Sequence, residues 1–342
     1  MNEGKKTDYK VKTKLENNSK IETIGVLTSG GDSPGMNCAI RAVVRTALGA
    51  DLRVLGIKRG YAGLLEGDLE EMTPASVGNI IQRGGTFLQT SRCPDFFKKD
   101  IRKEAFHILT RKGVDALVVI GGDGSFNGAY KLFDETGIPV VGIPGTIDND
   151  IAGTKYSIGY DTAVNTAVEA VDKIRDTASS HARIFLVEVM GRKSPAIAMA
   201  VAVCTGAENV IFPWTKIDYK KIAEDIERGI KRGKNSSILI TAEGEEPGMS
   251  YGVQKVLKEN YGIDSHVCIL GHIQRGGRPT HLDRFMASKM GYVAVRALLD
   301  GQHPIVTSYN EGRIELVPMK DCLSKKTEED FSNIGLARAL SI

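Results

Sequence analysis

The sequence predicts an α/β protein with largely parallel strands, arranged in one sheet or two, and three observations carry that expectation. Short apolar runs rich in Val and Ile recur along the chain, at Ala116 to Ile120, Ile184 to Val189 and Ser237 to Ala242 among others. Each is followed by glycines or charges and then by helical periodicity, the order of strand, loop and helix expected of a parallel sheet. The length of 342 residues leaves room for two such domains. A TIM barrel would place its loops similarly, but eight evenly spaced units are not visible.

Composition narrows the class. A hydrophobic content of 42% and a charged content of 25% are those of an ordinary globular protein. The longest apolar candidate, Ala196 to Cys204, is about half the ~18 residues of a membrane span, so a soluble protein with no membrane partner is expected. Cys38, Cys93, Cys204, Cys268 and Cys322 form no Cys-x-x-Cys pair, which suits a reducing cytoplasm. Residues 1–20 hold six lysines against three acids and read as a flexible lysine-rich tail. The rest of the chain is balanced at 39 basic and 39 acidic residues, giving no electrostatic case for nucleic acid.

In chain order, Ile21 to Thr28 reads as a strand entering Ser29-Gly30-Gly31-Asp32-Ser33-Pro34-Gly35, with a helix from Met36 or Asn37 to Leu48 behind it. Loop amides and the helix N-terminus together favour an anion there. Arg41 and Arg45 lie on the other face of that helix, either solvated or forming a second anion site. Arg53 to Lys58 is a strand, and Gly60-Tyr61-Ala62-Gly63 a turn whose aromatic a purine could stack on. Arg83-Gly84-Gly85-Thr86 and Arg92 suit bidentate phosphate contact. After the strand Ala116 to Ile120, Gly121-Gly122-Asp123-Gly124-Ser125 leads into a helix from Phe126 to Phe133. A lone carboxylate among residues with little side chain would repel a phosphate unless a divalent cation stood between, so Asp123 reads as a magnesium site. No P-loop and no dinucleotide fingerprint is present.

The run Ile138 to Ile143 is a strand ended by Pro144-Gly145, which places Thr146, Asp148, Asn149 and Asp150 at a sheet's carboxyl edge. In an extended segment Asp148 and Asp150 share a side, where they bind a metal, share a proton, or divide into base and electrostatic partner. A polar turn is the alternative. A helix from Asp161 to Arg175 follows; later strands end in Met190-Gly191-Arg192, in Glu243-Gly244 and, for Val267 to Leu270, in Gly271-His272-Ile273-Gln274-Arg275. One cleft would then gather Asp123, Thr146, Asp148, Asp150 and Glu243 with Arg92, Arg183, Arg192, Arg275 and His272. A metal carboxylate, a glycine cradle, a free base and excess arginine make a phosphoryl-transfer site, with Asp148 as base.

Gly30-Gly31-Asp32, Arg83-Gly84-Gly85-Thr86, Gly121-Gly122-Asp123-Gly124-Ser125, Pro144-Gly145-Thr146-Ile147-Asp148-Asn149-Asp150, Met190-Gly191-Arg192 and Gly271-His272-Ile273-Gln274-Arg275-Gly276-Gly277 together resemble the bacterial ATP-dependent 6-phosphofructokinases (family A), from roughly Ile21 to Leu299. The resemblance implies two Rossmann-like three-layer α/β domains: residues 21–159 plus 274–321 for ATP, and 160–273 plus 322–342 for fructose 6-phosphate. It implies transfer of the ATP γ-phosphoryl group to the sugar's 1-hydroxyl, the committed step of glycolysis, with Mg2+ as cofactor. Gly31, Tyr61, Arg92, Gly122, Asp123, Gly124 and Ser125 would serve ATP and magnesium, and Thr146, Asp148, Asp150, Arg92 and Arg192 catalysis. Met190, Gly191, Arg192, Glu243, His272 and Arg275 would hold the sugar phosphate together with Thr146 and Asp148. Arg183 would reach it from a neighbouring subunit, as would His266, which stands where the family has arginine; a homotetramer is implied. Because histidine loses its charge near neutrality, the KM for fructose 6-phosphate is expected to rise between about pH 6 and 8. Arg41, Arg45, Arg175, Glu208, Arg232 and Lys234 correspond to a site for ADP or phosphoenolpyruvate, with Pro74 replacing a further arginine, so control is expected to be blunted.

Pyrophosphate-dependent relatives usually carry aspartate at the position of Gly124 and lysine at that of Gly145, and either side chain would crowd the nucleotide's inner phosphates. ATP is the expected donor, with pyrophosphate the alternative. A kinase of another small molecule and a silent regulatory subunit stand further off, disfavoured respectively by the sugar-phosphate motifs and by intact Asp123, Asp148 and Arg192.

Overall fold

A computed structural model describes residues 20–181, 183–324 and 331–340; the expected tail over residues 1–19 lies outside them. In chain order the strands are β1 (Thr23–Ser29), β2 (Arg53–Ile57), β3 (Leu69–Glu71), β4 (Ala116–Gly121), β5 (Val140–Pro144), β6 (Ile184–Val189), β7 (Asn209–Ile211), β8 (Ser237–Ala242), β9 (His266–Ile269), β10 (Ile305–Asn310) and β11 (Arg313–Pro318). The helices are α1 (Met36–Gly49), α2 (Gly60–Glu66), α3 (Lys99–Arg111), α4 (Asp123–Thr136), α5 (Tyr160–His181), α6 (Ala196–Thr205), α7 (Tyr219–Lys231), α8 (Met249–Tyr261), α9 (His281–Leu299), α10 (Met319–Ser324) and α11 (Ile334–Leu340).

Two sheets organise these elements, as the alternating strands and helices predict. The larger has seven strands in the order β11-β10-β5-β4-β1-β2-β3, the smaller four in the order β7-β8-β6-β9. Pairing is parallel throughout the smaller sheet and in the body of the larger, while β3 and β11 close its edges antiparallel. Strands β1, β4 and β5 are buried along their whole length, which is why they read as continuous apolar runs instead of alternating ones.

Helices cover both faces of each sheet. On one face of the larger sheet α1 buries Ile40, Val43, Val44 and Ala47 beside Met290 and Ala294 of α9. The two helices come so close that a Cβ on Gly291 would stand 2.7 Å from that of Ala42. The opposite face packs Phe126, Ala129 and Leu132 of α4 with Ala105 and Leu109 of α3. Around the smaller sheet, Ala163, Ala167 and Val171 of α5 pack with Ile197 and Ala198 of α6 on one face, and Ile222, Ile226 and Leu257 of α7 and α8 fill the other. No helix of the described residues is long and apolar enough to cross a membrane.

The chain leaves the larger sheet after β5 and enters α5 through Gly159, returning with α9. The N-termini of those two helices are fastened together. Fully buried Asp283 of α9 accepts from the amides of Gly159 (2.7 Å) and Thr162 (2.8 Å) and from the Thr162 hydroxyl (2.5 Å). It thereby caps α5 from another helix. Thr280 accepts from the Asp283 amide and donates to Asp161 at 2.6 Å. Burial pushes the Asp283 carboxyl up to about 6 against the pull of these donors.

Several local expectations are corrected. Gly60 to Gly63 is no turn but the first half of α2, because Leu64 is buried in the core and Arg59, at φ 54, redirects the chain just before it. Asp123, Gly124 and Ser125 belong to the first turn of α4 and not to the loop, since Gly122 already supplies the extended cap. The strand expected from Ile138 begins at Val140, and α5 runs six residues past Arg175 to His181, as no Pro or Gly stops it. Strands β3, β7, β10 and β11 are not read from the sequence: β3 and β7 are three residues long, β11 is largely exposed, and β10 carries Thr307, Ser308 and Asn310 in place of an apolar run.

Candidate active site

The carboxyl ends of both sheets face one cleft of about 1470 Å³. The larger sheet lines it with Gly31, Arg92, Asp123, Gly124 and Asp150; the smaller with Met190, Arg192, Glu243, His272 and Arg275. These ten sequence-predicted residues are therefore brought together.

On the larger-sheet side the walls are mostly backbone. Gly30, at φ 89, turns the chain after β1, and a Cβ on Gly31 would meet the Arg275 guanidinium at 2.5 Å. That guanidinium also donates to the Asp32 carbonyl at 3.2 Å, so Arg275 lies across the glycine loop from the far side of the cleft. Asp123 opens α4, its carboxylate accepting from the Gly124 amide at 2.6 Å. Among the described residues no three His, Cys, Asp or Glu stand close enough to hold a metal by themselves. Asp123 suits a cation that completes its shell with phosphate oxygens. A Cβ on Gly124 would enter open space, whereas one on Gly145 would press at 3.1 Å on Ile120 and Met36. A side chain at Gly145 would therefore press on the core as well.

Tyr61 is likewise corrected. Its ring is 4% exposed, stacked on Phe96 at 3.9 Å, and its hydroxyl donates to the Ser125 carbonyl at 2.6 Å. No purine can stack on it; it supports the first turn of α4 from beneath. Phe96 is held in turn by buried Arg102, which donates to its carbonyl and pairs with Glu135.

The acidic centre lies between the sheets. Asn149 has φ 51, so the segment is bent and not extended as expected, and Asp148 and Asp150 do not share a pleat face. The Asn149 side chain accepts from the Ser157 amide, which pins the bend. Asp148 is 5% exposed; its amide donates to Thr146 Oγ1 at 3.3 Å, its Oδ2 lies 3.9 Å from Arg192 Nε, and its buried Oδ1 has no hydrogen-bond partner. Burial pushes the Asp148 carboxyl up, Arg275 and Arg192 pull it back, and Asp123 adds to the rise. Asp150 is reachable by water yet set in the concave cleft. Partial withdrawal from bulk solvent, with Asp148 and Asp123 beside it, raises its carboxyl to about 6.

The smaller-sheet side is built from buried side chains. Glu243, 6% exposed, has its carboxyl pushed up by burial, a rise that the nearby Arg192 and Gly191 amides oppose and Asp148 adds to. Arg192 lies in the left-handed region at φ 51, which costs a non-glycine residue on the order of 1 kcal/mol. Glu188 of β6 is fully buried and caps α8, accepting from the Gly248 and Ser250 amides at 2.7 and 2.9 Å. Gln274 bridges the ends of β6 and α5. Sequence reasoning assigned no role to Glu188 or Gln274; a polar residue inside an otherwise apolar strand was the one signal available, and for Glu188 alone.

Arg183 and His266 do not line the cleft. Both are exposed, and His266 lies at the edge of the smaller sheet, paired in register with Phe185 and 5.3 Å from its ring. Of the expected effector residues, Glu208, Arg232 and Lys234 meet at a second cavity of about 300 Å³, with Lys221, Arg228 and Arg338. Glu208 accepts from the Ile238 amide at 2.6 Å and lies 3.3 Å from Lys234. Arg41 and Arg45 stand on α1 and do not line that cavity, nor does Arg175, which donates to the Thr205 carbonyl at 2.6 Å.

Known proteins share this arrangement. The family model described as Phosphofructokinase matches residues 23–298. The ATP-dependent 6-phosphofructokinase 1 of Thermus thermophilus is 47% identical over 322 residues, 94% of this chain and 100% of that protein. The ATP-dependent 6-phosphofructokinase of Clostridioides difficile is 50% identical with the same coverage of each. The solved phosphofructokinase of Pichia pastoris in the T-state superposes with a TM-score of 0.84 at 33% identity, over 94% of this chain and 37% of that longer one. A pyrophosphate-dependent phosphofructokinase from Marinobacter aquaeolei gives 0.82 at 20% identity, over 93% and 88%, a likeness of fold alone.

Proposed function

The chain belongs to the phosphofructokinase family, and we propose that it transfers the γ-phosphoryl group of ATP to the 1-hydroxyl of fructose 6-phosphate, giving fructose 1,6-bisphosphate and ADP. The observation that carries this reading is Asp148. A buried carboxylate oxygen without a donor costs about 1–3 kcal/mol, and a substrate hydroxyl supplies the missing hydrogen bond. The same oxygen then accepts the hydroxyl's proton as general base while the sugar oxygen attacks phosphorus.

The surrounding residues divide the work. Gly122, Gly124 and Ser125 at the α4 N-terminus and Gly31 in the loop after β1 approach the nucleotide phosphates through backbone, and Arg92 faces the same cleft. Mg2+, held by Asp123 with phosphate oxygens, would neutralise charge on the transferring group. Arg192, Arg275 and His272 hold the sugar phosphate, with Thr146 and Asp150 shaping the acidic centre. ATP-binding and sugar-binding domains spanning 21–159 plus 274–321 and 160–273 plus 322–342 fit the two sheets. Arg183 and His266, exposed and off the cleft, fit a homotetramer in which each reaches a neighbour's sugar site. The cavity at Glu208, Arg232 and Lys234 fits an anionic effector such as ADP or phosphoenolpyruvate. A cytoplasmic place in glycolysis fits this reading.

The test is fructose 1,6-bisphosphate formation with magnesium and either ATP or pyrophosphate as donor. Product with ATP alone is expected. Product with pyrophosphate alone would overturn the choice of donor, and product with neither would overturn the function.

A further inference from the structure

Gln274 is fully buried, although it lies one residue from Arg275 and two from His272, both of which face the cleft. Its side-chain oxygen accepts from the Met190 amide at 2.8 Å, and its nitrogen donates to the Ala163 carbonyl at 3.4 Å. A carboxamide meets both demands at every pH, its oxygen accepting from the amide while its nitrogen donates to the carbonyl. Methionine would fill the volume and leave the Met190 amide unpaired; an ionised glutamate would set its charge against the Ala163 carbonyl.

The segments tied in this way all serve one half of the cleft. Met190 directly precedes Gly191 and Arg192, whose left-handed backbone aims the guanidinium at Asp148. Ala163 follows Thr162, which Asp283 fastens to α9. The segment carrying Gln274 ends in Arg275, which lies across Gly31. Given the sugar-phosphate reading above, on which this inference rests, we propose that Gln274 is a positioning residue for fructose 6-phosphate. It locks the loops after β6 and β9 to the start of α5, so that Arg192 and Arg275 converge on one anionic substrate, and it does not touch that substrate. The nucleotide cradle at Gly122 to Ser125 receives neither of its hydrogen bonds.

Steady-state kinetics of the full chain, Gln274→Met and Gln274→Glu, varying each substrate in turn, test this. For Gln274→Met the KM for fructose 6-phosphate should rise about tenfold or more, with the KM for ATP within about twofold of the parent. In Gln274→Glu the protonated acid reproduces both hydrogen bonds, so its sugar KM relative to the parent should approach unity at low pH and climb as the carboxyl ionises. An unchanged sugar KM in Gln274→Met overturns the proposal. So does a parallel rise of both KM values that tracks a lowered Tm, or a Gln274→Glu ratio that does not change with pH. A parent chain that fails to phosphorylate fructose 6-phosphate would instead overturn the functional reading.

Discussion

The two walls of the cleft are made from different materials. Toward the larger sheet, ligand-facing positions are glycines at strand ends and the first turn of α4, supported from beneath by Tyr61, Phe96 and Arg102. Toward the smaller sheet, the loops are gripped by buried side chains: Glu188 caps α8, and Gln274 spans two elements. A wall of backbone recognises phosphate through amides that any sequence supplies once the chain can approach closely. A wall of side chains recognises it through guanidiniums that need a rigid seat.

The largest effect should come where the walls meet. Asp148→Asn keeps the shape but cannot accept a proton, so kcat should fall by about 10³-fold or more in steady-state assays while both substrates still bind. A small loss would remove Asp148 as base and return the acidic centre to a structural role. Next, Gly31→Ala tests whether the walls are independent. Its Cβ would displace the Arg275 guanidinium 2.5 Å away, so a change on the nucleotide wall should raise the KM for fructose 6-phosphate by about tenfold. An effect confined to ATP would mean that Arg275 relaxes freely.

A pH profile sharpens the same comparison. Asp148 must be ionised to act, and burial raises its carboxyl, so activity should be lost as pH falls through a value above the ordinary carboxylate range. Arg192 holds that value down; Arg192→Gln should therefore move the acid limb to higher pH, and an unmoved limb would assign it to another group. The smallest expected effect lies outside the cleft. His266→Arg carries its charge at every pH and should flatten the rise in the KM for fructose 6-phosphate toward pH 8; an identical profile would show that His266 does not reach the sugar.

Much of the nucleotide wall was legible because its signals are local. Gly30-Gly31 after β1, Gly121-Gly122-Asp123 after β4 and Asp148 after β5 each lie within a few residues of the apolar run that delivers them. The errors came where one tertiary contact overrode a local preference. Two glycines suggested a turn at Gly60 to Gly63, but burial of Leu64 made it a helix. An aromatic beside glycines suggested a purine shelf, but Phe96 covers Tyr61. Alternation suggested an extended acidic segment, but the Ser157 amide, donating to the Asn149 side chain, bends it.

By itself the sequence determined the alternation of strands and helices, the sheet edges that carry the chemistry, and the residue types that a phosphoryl transfer needs. Those follow from periodicity and from groups adjacent along the chain. Only the tertiary structure decided which acids are buried, which arginines meet and what holds the sugar wall in shape. Gln274 finds its amide partner 84 positions away and Asp283 its own 124 away. Nothing in the neighbourhood of either residue encodes that meeting; it exists only once the two sheets have closed on one another.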